Sequence, residues 1–216
     1  MFTVSIQKEF PSRSGGYFYT GKVQVDNGLS FFPRVNQYED GNIKISMPAH
    51  VSILSEQIAD QLTEAFHSAV KKFHENPGSD TREEISIGDE KIMSSVDAHL
   101  TTTKDGSTPT VYESSRFNSY ANITFDFSDR TGEKMFGIDT TLRERSDGSG
   151  KFIALPSKLG SDGKYYKEVT CSREVSDLLN QKGLALYDAE LSKKPSSKDK
   201  EKEPAQKSAK KSALTR

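Results

Sequence analysis

Two stretches of this chain read alike, and that likeness limits the fold more than any other feature. Asp40-Gly41-Asn42-Ile43-Lys44-Ile45-Ser46-Met47-Pro48 lies over Asp147-Gly148-Ser149-Gly150-Lys151-Phe152-Ile153-Ala154-Leu155-Pro156, with one inserted residue. Upstream, Val23-Gln24-Val25-Asp26 lies over Ile123-Thr124-Phe125-Asp126, with a longer hairpin in the second copy. Each copy reads strand, strand, strand, turn, short strand, proline, helix. The same order of elements twice points to duplication, and 216 residues leave room for two small domains.

Within the first copy, Phe2, Val4 and Ile6 alternate with Thr3, Ser5 and Gln7, the period of a half-buried strand. Ser12–Gly16 is a polar turn. Tyr17 to Val25 is a β-branched and aromatic run closed by Asp26-Asn27-Gly28. Leu29–Val35 is a third strand, and Ile43, Ile45 and Met47 alternate in a fourth that stops at Pro48. Four strands joined by short turns make an antiparallel meander. The period then changes: Leu54, Ile58, Leu62, Ala65/Phe66, Ala69 and Phe73 form a stripe at helical spacing, with Ser52 or Ser55 as cap and Asn76-Pro77-Gly78 as stop. The stripe is expected to cover the sheet. In the second copy, one or two strands fall within 85–103, and Lys104-Asp105-Gly106-Ser107 is a turn. Tyr120–Phe127, Met135–Arg145 and Phe152–Leu155 read as strands. Val175 to Leu186 reads as a helix, which Gly183 weakens by about 1 kcal/mol and is able to break.

Charge divides the chain differently. From Ser192 to Arg216 nine Lys/Arg stand against three Asp/Glu, which leaves residues 1–191 at −7 although the whole chain is at −1. With one leucine and no aromatic residue, that stretch cannot offset the entropy of ordering and is read as a disordered Lys-rich tail. Asp199, Glu201 and Glu203 alternate with lysines there, as in a mixed-charge linker. No apolar run approaches the length of a spanning helix, and the first residues carry no readable signal peptide. A single cysteine, Cys171, excludes an intrachain disulfide and a cysteine zinc cage, in keeping with a reducing cytoplasm.

No catalytic constellation is legible. The histidines are His50, His67, His74 and His99. His67 and His74 sit seven residues apart on the predicted helix, roughly 10 Å along its axis and too far to share a metal. There is no G-x-S-x-G, no phosphate-binding glycine loop and no dinucleotide fingerprint. Cys171 precedes a helix start, where a dipole would lower its pKa; the alternative is a buried, idle thiol. The chain is therefore expected to be no enzyme and to need no cofactor or metal.

The second copy resembles the SpoVG (stage V sporulation protein G) septation family. The likeness lies in Tyr120–Asp126 leading to Phe136-Gly137-Ile138-Asp139, and in Lys151-Phe152-Ile153-Ala154-Leu155-Pro156-Ser157-Lys158, which is similar to the family's Met-Pro-Ser-Lys signature with Leu155 in place of Met. Asp162-Gly163-Lys164-Tyr165-Tyr166-Lys167-Glu168-Val169 is similar to its basic hairpin. The first copy matches through Ile43–Pro48 but lacks that hairpin. The resemblance implies an α+β fold of two antiparallel β-meander-plus-helix repeats, 1–78 and 79–191, packed as a pseudo-dimer within one monomeric chain, with 192–216 as the tail. It also implies a cytoplasmic regulator that binds DNA or RNA. Lys158, Lys164, Lys167 and Arg173, interleaved with Tyr165 and Tyr166, would then form the binding patch. Arg143 and Arg145, alternating on a neighbouring strand, would support it. The other class of function is a protein-binding adaptor that recruits strands at its sheet edges, without nucleic acid or membrane.

Overall fold

The computed structural model describes residues 2–12, 16–25, 28–76, 78, 80–85, 96–102, 110–114 and 119–193. The turns expected at Asp26-Asn27, Pro77 and 104–107, and the tail past residue 193, lie outside them. The fold is α+β, and every strand pairing among the described residues is antiparallel.

The first half carries β1 (Phe2–Pro11), β2 (Tyr17–Val25), β3 (Leu29–Phe31), β4 (Arg34–Gln37), β5 (Ile43–Ser46), β6 (Val51–Ile53) and α1 (Glu56–Glu75). After β7 (Glu83–Ile85), the second half carries β8 (Val96–Leu100), β9 (Ala121–Ser128), β10 (Lys134–Glu144), β11 (Lys151–Ala154), β12 (Ser157–Leu159), β13 (Tyr165–Lys167), β14 (Val169–Thr170) and α2 (Arg173–Ser192). The single strand expected over Leu29–Val35 is split, because Pro33 has no N–H for the ladder and the chain resumes pairing only at Arg34. β7 joins the outer edge of β1 through Phe2–Ile85 and Val4–Glu83, so the first sheet extends past the expected boundary at residue 78.

The two sheets exchange a strand. β6, from the first half, pairs with β10 of the second sheet, Val51 facing Ile138 and Ile53 facing Phe136. β14, from the second half, pairs with β3 of the first, Val169 facing Phe31 and Thr170 facing Ser30. In both sheets the strand before the helix has left its own half. Beyond the exchanged strand, β5 pairs with β4 and β11 with β10 in the same sense. These ladders set Val23 in the place of Phe125, since Val23 faces Phe31 and Phe125 faces Ile138. The sequence alignment, which matched Val23 to Ile123, is thus two residues out of register. A shift of two preserves the inward-outward alternation, so the pattern alone could not detect it.

The core runs through both sheets. Phe136 stacks on Phe127 at 4.5 Å between ring centroids and meets Phe2 at 5.8 Å and Phe31 at 5.9 Å, and all four rings are fully buried. Each helix covers its own half. Counted from their N-caps, Ser55 and Ser172, α1 buries Ile58, Leu62, Phe66 and Val70 where α2 buries Val175, Leu179, Gly183 and Tyr187. Leu54, expected in the stripe, precedes α1 and is 45% exposed. Of the candidate caps, Ser52 lies in β6, and the Ser55 hydroxyl donates to Glu133 at 2.9 Å instead of capping. Ser172 does cap α2, accepting from the Val175 N–H at 3.3 Å.

Gly183 does not break α2. A Cβ there would meet Ile153 at 2.6 Å and Phe125 at 3.3 Å, so glycine is what lets the helix lie close against the second sheet. The first half brings its helix close by a different glycine. Its bulk is on the helix, as Phe66, and its glycine is on the strand, as Gly21, where a Cβ would stand 2.6 Å from the ring. Because that ring is fully buried and rigid, Gly21→Ala should cost about 1–3 kcal/mol by overpacking. A urea midpoint equal to the parent's would contradict this. No helix among the described residues is long and apolar enough to cross a membrane.

Candidate nucleic-acid interface

Alternation along β9 and β10 sends Ile123, Phe125, Ile138 and Leu142 into the core and the residues between them to the outer face of the second sheet. That face is polar. Asn122, Thr124 and Asp126 come from β9, and Asp139, Thr141 and Arg143 from β10. The Thr124 hydroxyl donates to Asp139 Oδ1 at 2.7 Å, and Thr101 Oγ1 lies 2.9 Å from it. Asp126 is almost fully buried and is satisfied by two side chains, accepting from Lys134 Nζ at 2.6 Å with His99 Nε2 at 3.2 Å. The same contact pushes the Lys134 pKa above its ordinary value, chiefly through the hydrogen bond to Asp126.

A groove of about 660 Å³ opens on this face. Its floor includes Asn122, Asp139 and Thr141, its apolar side Leu155 and Pro156, and its far wall Tyr165 of the β12–β13 hairpin. The hairpin is an insertion at the chain crossing. In the first half Val51 N–H donates to Pro48 C=O directly; in the second, Glu168 N–H donates to Pro156 C=O after the hairpin has looped out. His50 also lines the groove. It belongs to the first half and is brought there by the exchanged strand, its carbonyl accepting from Asp139 N–H at 2.9 Å.

The six predicted cations do not all share one face. Arg143 is exposed on the groove face, opposite Phe152, and the Arg145 guanidinium stands 5.3 Å from the centroid of that Phe152 ring, so these two arginines share a face as expected. In the hairpin, Ser157 faces Lys167, Leu159 faces Tyr165, and Lys158 faces Tyr166. Tyr165 and Ser157 line the groove, which puts Lys167 on the groove side and Lys158 and Tyr166 on the opposite side. Lys164 is exposed at the tip, its N–H donating to Asp162. Arg173 stands at the start of α2, next to the Ser172 whose N–H donates to Gly28 C=O of the first half. Spacing in sequence puts these residues close along the chain, but strand alternation turns Lys158 to the side opposite Lys167.

Asn122, Asp139 and His50 escaped the sequence reading. The signal for the first two was present, a polar residue at every second position of two adjacent strands. His50 carried no signal, because nothing local shows that its strand crosses to the other sheet. The remaining candidates resolve simply. Cys171 is half-buried, and burial pushes its thiol pKa up, outweighing the opposing pull of Lys167. His74 Nε2 lies 2.7 Å from the Tyr19 hydroxyl. Among the described residues no three His, Cys, Asp or Glu side chains cluster as metal ligands would. No family model, curated protein or solved structure matches this chain.

Proposed function

We propose that this chain is a non-catalytic cytoplasmic regulator similar to SpoVG. In this reading it binds nucleic acid through the outer face of its second sheet and the hairpin above it. The observation that carries the reading is the groove face itself. Arg143, Arg145 and Lys167 stand beside the Phe152 and Tyr165 rings, the combination of cations and aromatics that holds a nucleic-acid backbone and its bases. Lys164 at the tip extends it, and Lys158 and Arg173 offer outlying phosphate contacts. The likeness to SpoVG rests on the residues quoted above. The reciprocal strand exchange supports the companion reading, a duplicated unit that pairs with itself as a monomeric pseudo-dimer.

Lys164→Ala combined with Lys167→Ala should weaken binding while leaving the fold intact. If each lysine neutralises one phosphate, the slope of log affinity against log salt should fall by about 0.7–0.9 per lysine. A salt titration by gel shift, on DNA and RNA, checks this, and removal of residues 192–216 separates the folded face from the tail. A double variant that binds like the parent, with binding lost on tail removal, would move the site to the tail. A parent that binds neither nucleic acid at low salt would leave the adaptor reading, with partners added at the sheet edges.

A further inference from the structure

We infer that the groove under Tyr165 seats one unstacked nucleotide of a single strand, so that the protein prefers single-stranded nucleic acid to duplex. The inference rests on the nucleic-acid reading above and goes beyond it, because phosphate contacts alone do not distinguish the two forms.

Size is the first argument. About 660 Å³ falls in the roughly 300–1,000 Å³ range of clefts that enclose small ligands, whereas a base paired and stacked in a duplex cannot enter a cleft. The second argument is the arrangement of its walls. Tyr165 is 74% exposed, so its ring is open to a stacking partner, and Leu155 and Pro156 supply apolar surface on the groove's side. The third is the floor. Asn122 Nδ2 and Asp139 Oδ2 have no hydrogen-bond partner among the described residues, because Thr141 reaches only Asn122 Oδ1 and Thr124 only Asp139 Oδ1. A donor on β9 and an acceptor on β10, each without a partner among the described residues, match the edge of a nucleobase, which presents both.

Charge fixes the direction. The backbones of Arg143 and Asp139 lie four residues apart along β10, about 13 Å at the rise of a strand, so the groove offers a phosphate its Arg143 end and a base its Asp139 end. His50, at the groove's edge, makes the site composite: the second half supplies floor and hairpin, the first half supplies the imidazole.

The test is fluorescence anisotropy of the full chain with a labelled 12-nucleotide strand of mixed sequence, alone and annealed to its complement, as DNA and as RNA. The single strand should bind at least tenfold more tightly than the duplex. Tyr165→Ala should weaken single-strand binding about fivefold or more, the loss expected for one stacked base, and leave duplex binding unchanged. Tyr165→Phe, which keeps the ring, should restore it to within about twofold of the parent. Asn122→Ala should change the preference among homopolymeric strands. Circular dichroism confirms that each variant is folded. Equal affinity for strand and duplex, or a Tyr165→Ala variant that binds like the parent, overturns the inference. If the lysine double variant still weakens binding in that case, the basic face survives without the base pocket. Absence of binding to either form overturns both readings.

Discussion

Phe136→Ala should be the most damaging single truncation in the molecule, costing about 3–5 kcal/mol. The ring stacks on Phe127, meets Phe2 edge to face and lies tilted against Phe31, so its removal leaves a cavity between the two sheets rather than within one. All four rings are fully buried, and the strands around Phe136 are paired on both sides, by Phe127 on β9 and Ile53 on β6, which limits collapse into the space. A loss of that size is a large share of the stability of an ordinary domain, about 5–15 kcal/mol. Urea denaturation followed by circular dichroism measures it. A cost below about 1 kcal/mol would mean that the sheets repack freely and that the cluster does not join them.

A larger effect is expected from cutting the chain between Ile85 and Val96. Neither fragment should fold alone, and the two should recover native circular dichroism when mixed. Without the other half, Val51 and Val169 lose the strands against which they are buried, β3 and β10 are left with open edges, and Phe2 and Phe31 are parted from Phe127 and Phe136. If either fragment alone gives a cooperative melt, the exchange is an ornament on two independent domains.

Much of the architecture was readable because short-range pattern decides which side of an element is buried. Phe2, Val4 and Ile6 are buried as their alternation requires, and Ile58, Leu62, Phe66 and Ala69 as the helical stripe requires. What pattern cannot decide is which sheet a strand joins. β6 is three residues long, squeezed between Pro48 and α1, and its partner lies far along the chain; β14 is shorter still. The same ignorance explains the site. The basic residues of the hairpin were visible by composition, but the groove depends on an exchanged strand for His50 and on hairpin register for Tyr165. Leu54 and Gly183 misled for a related reason. Periodicity counts apolar residues without knowing where the helix begins, and propensity penalises a glycine without knowing how near the sheet will come.

A chain with two sheets, each covered by one helix of 20 residues, risks docking each helix on the wrong sheet. The bulk of Phe66 on α1 and its absence at Gly183 on α2, both eleven residues past their N-caps, act as an address. On the second sheet, Phe66 of α1 would be driven into the side chains that now press on Gly183; on the first, α2 would set Gly183 over Gly21 and leave a void. One error is a collision and the other a hollow, so both mispairings are disfavoured for opposite reasons. The two helices are therefore not interchangeable, although each buries a residue at the same four steps from its cap.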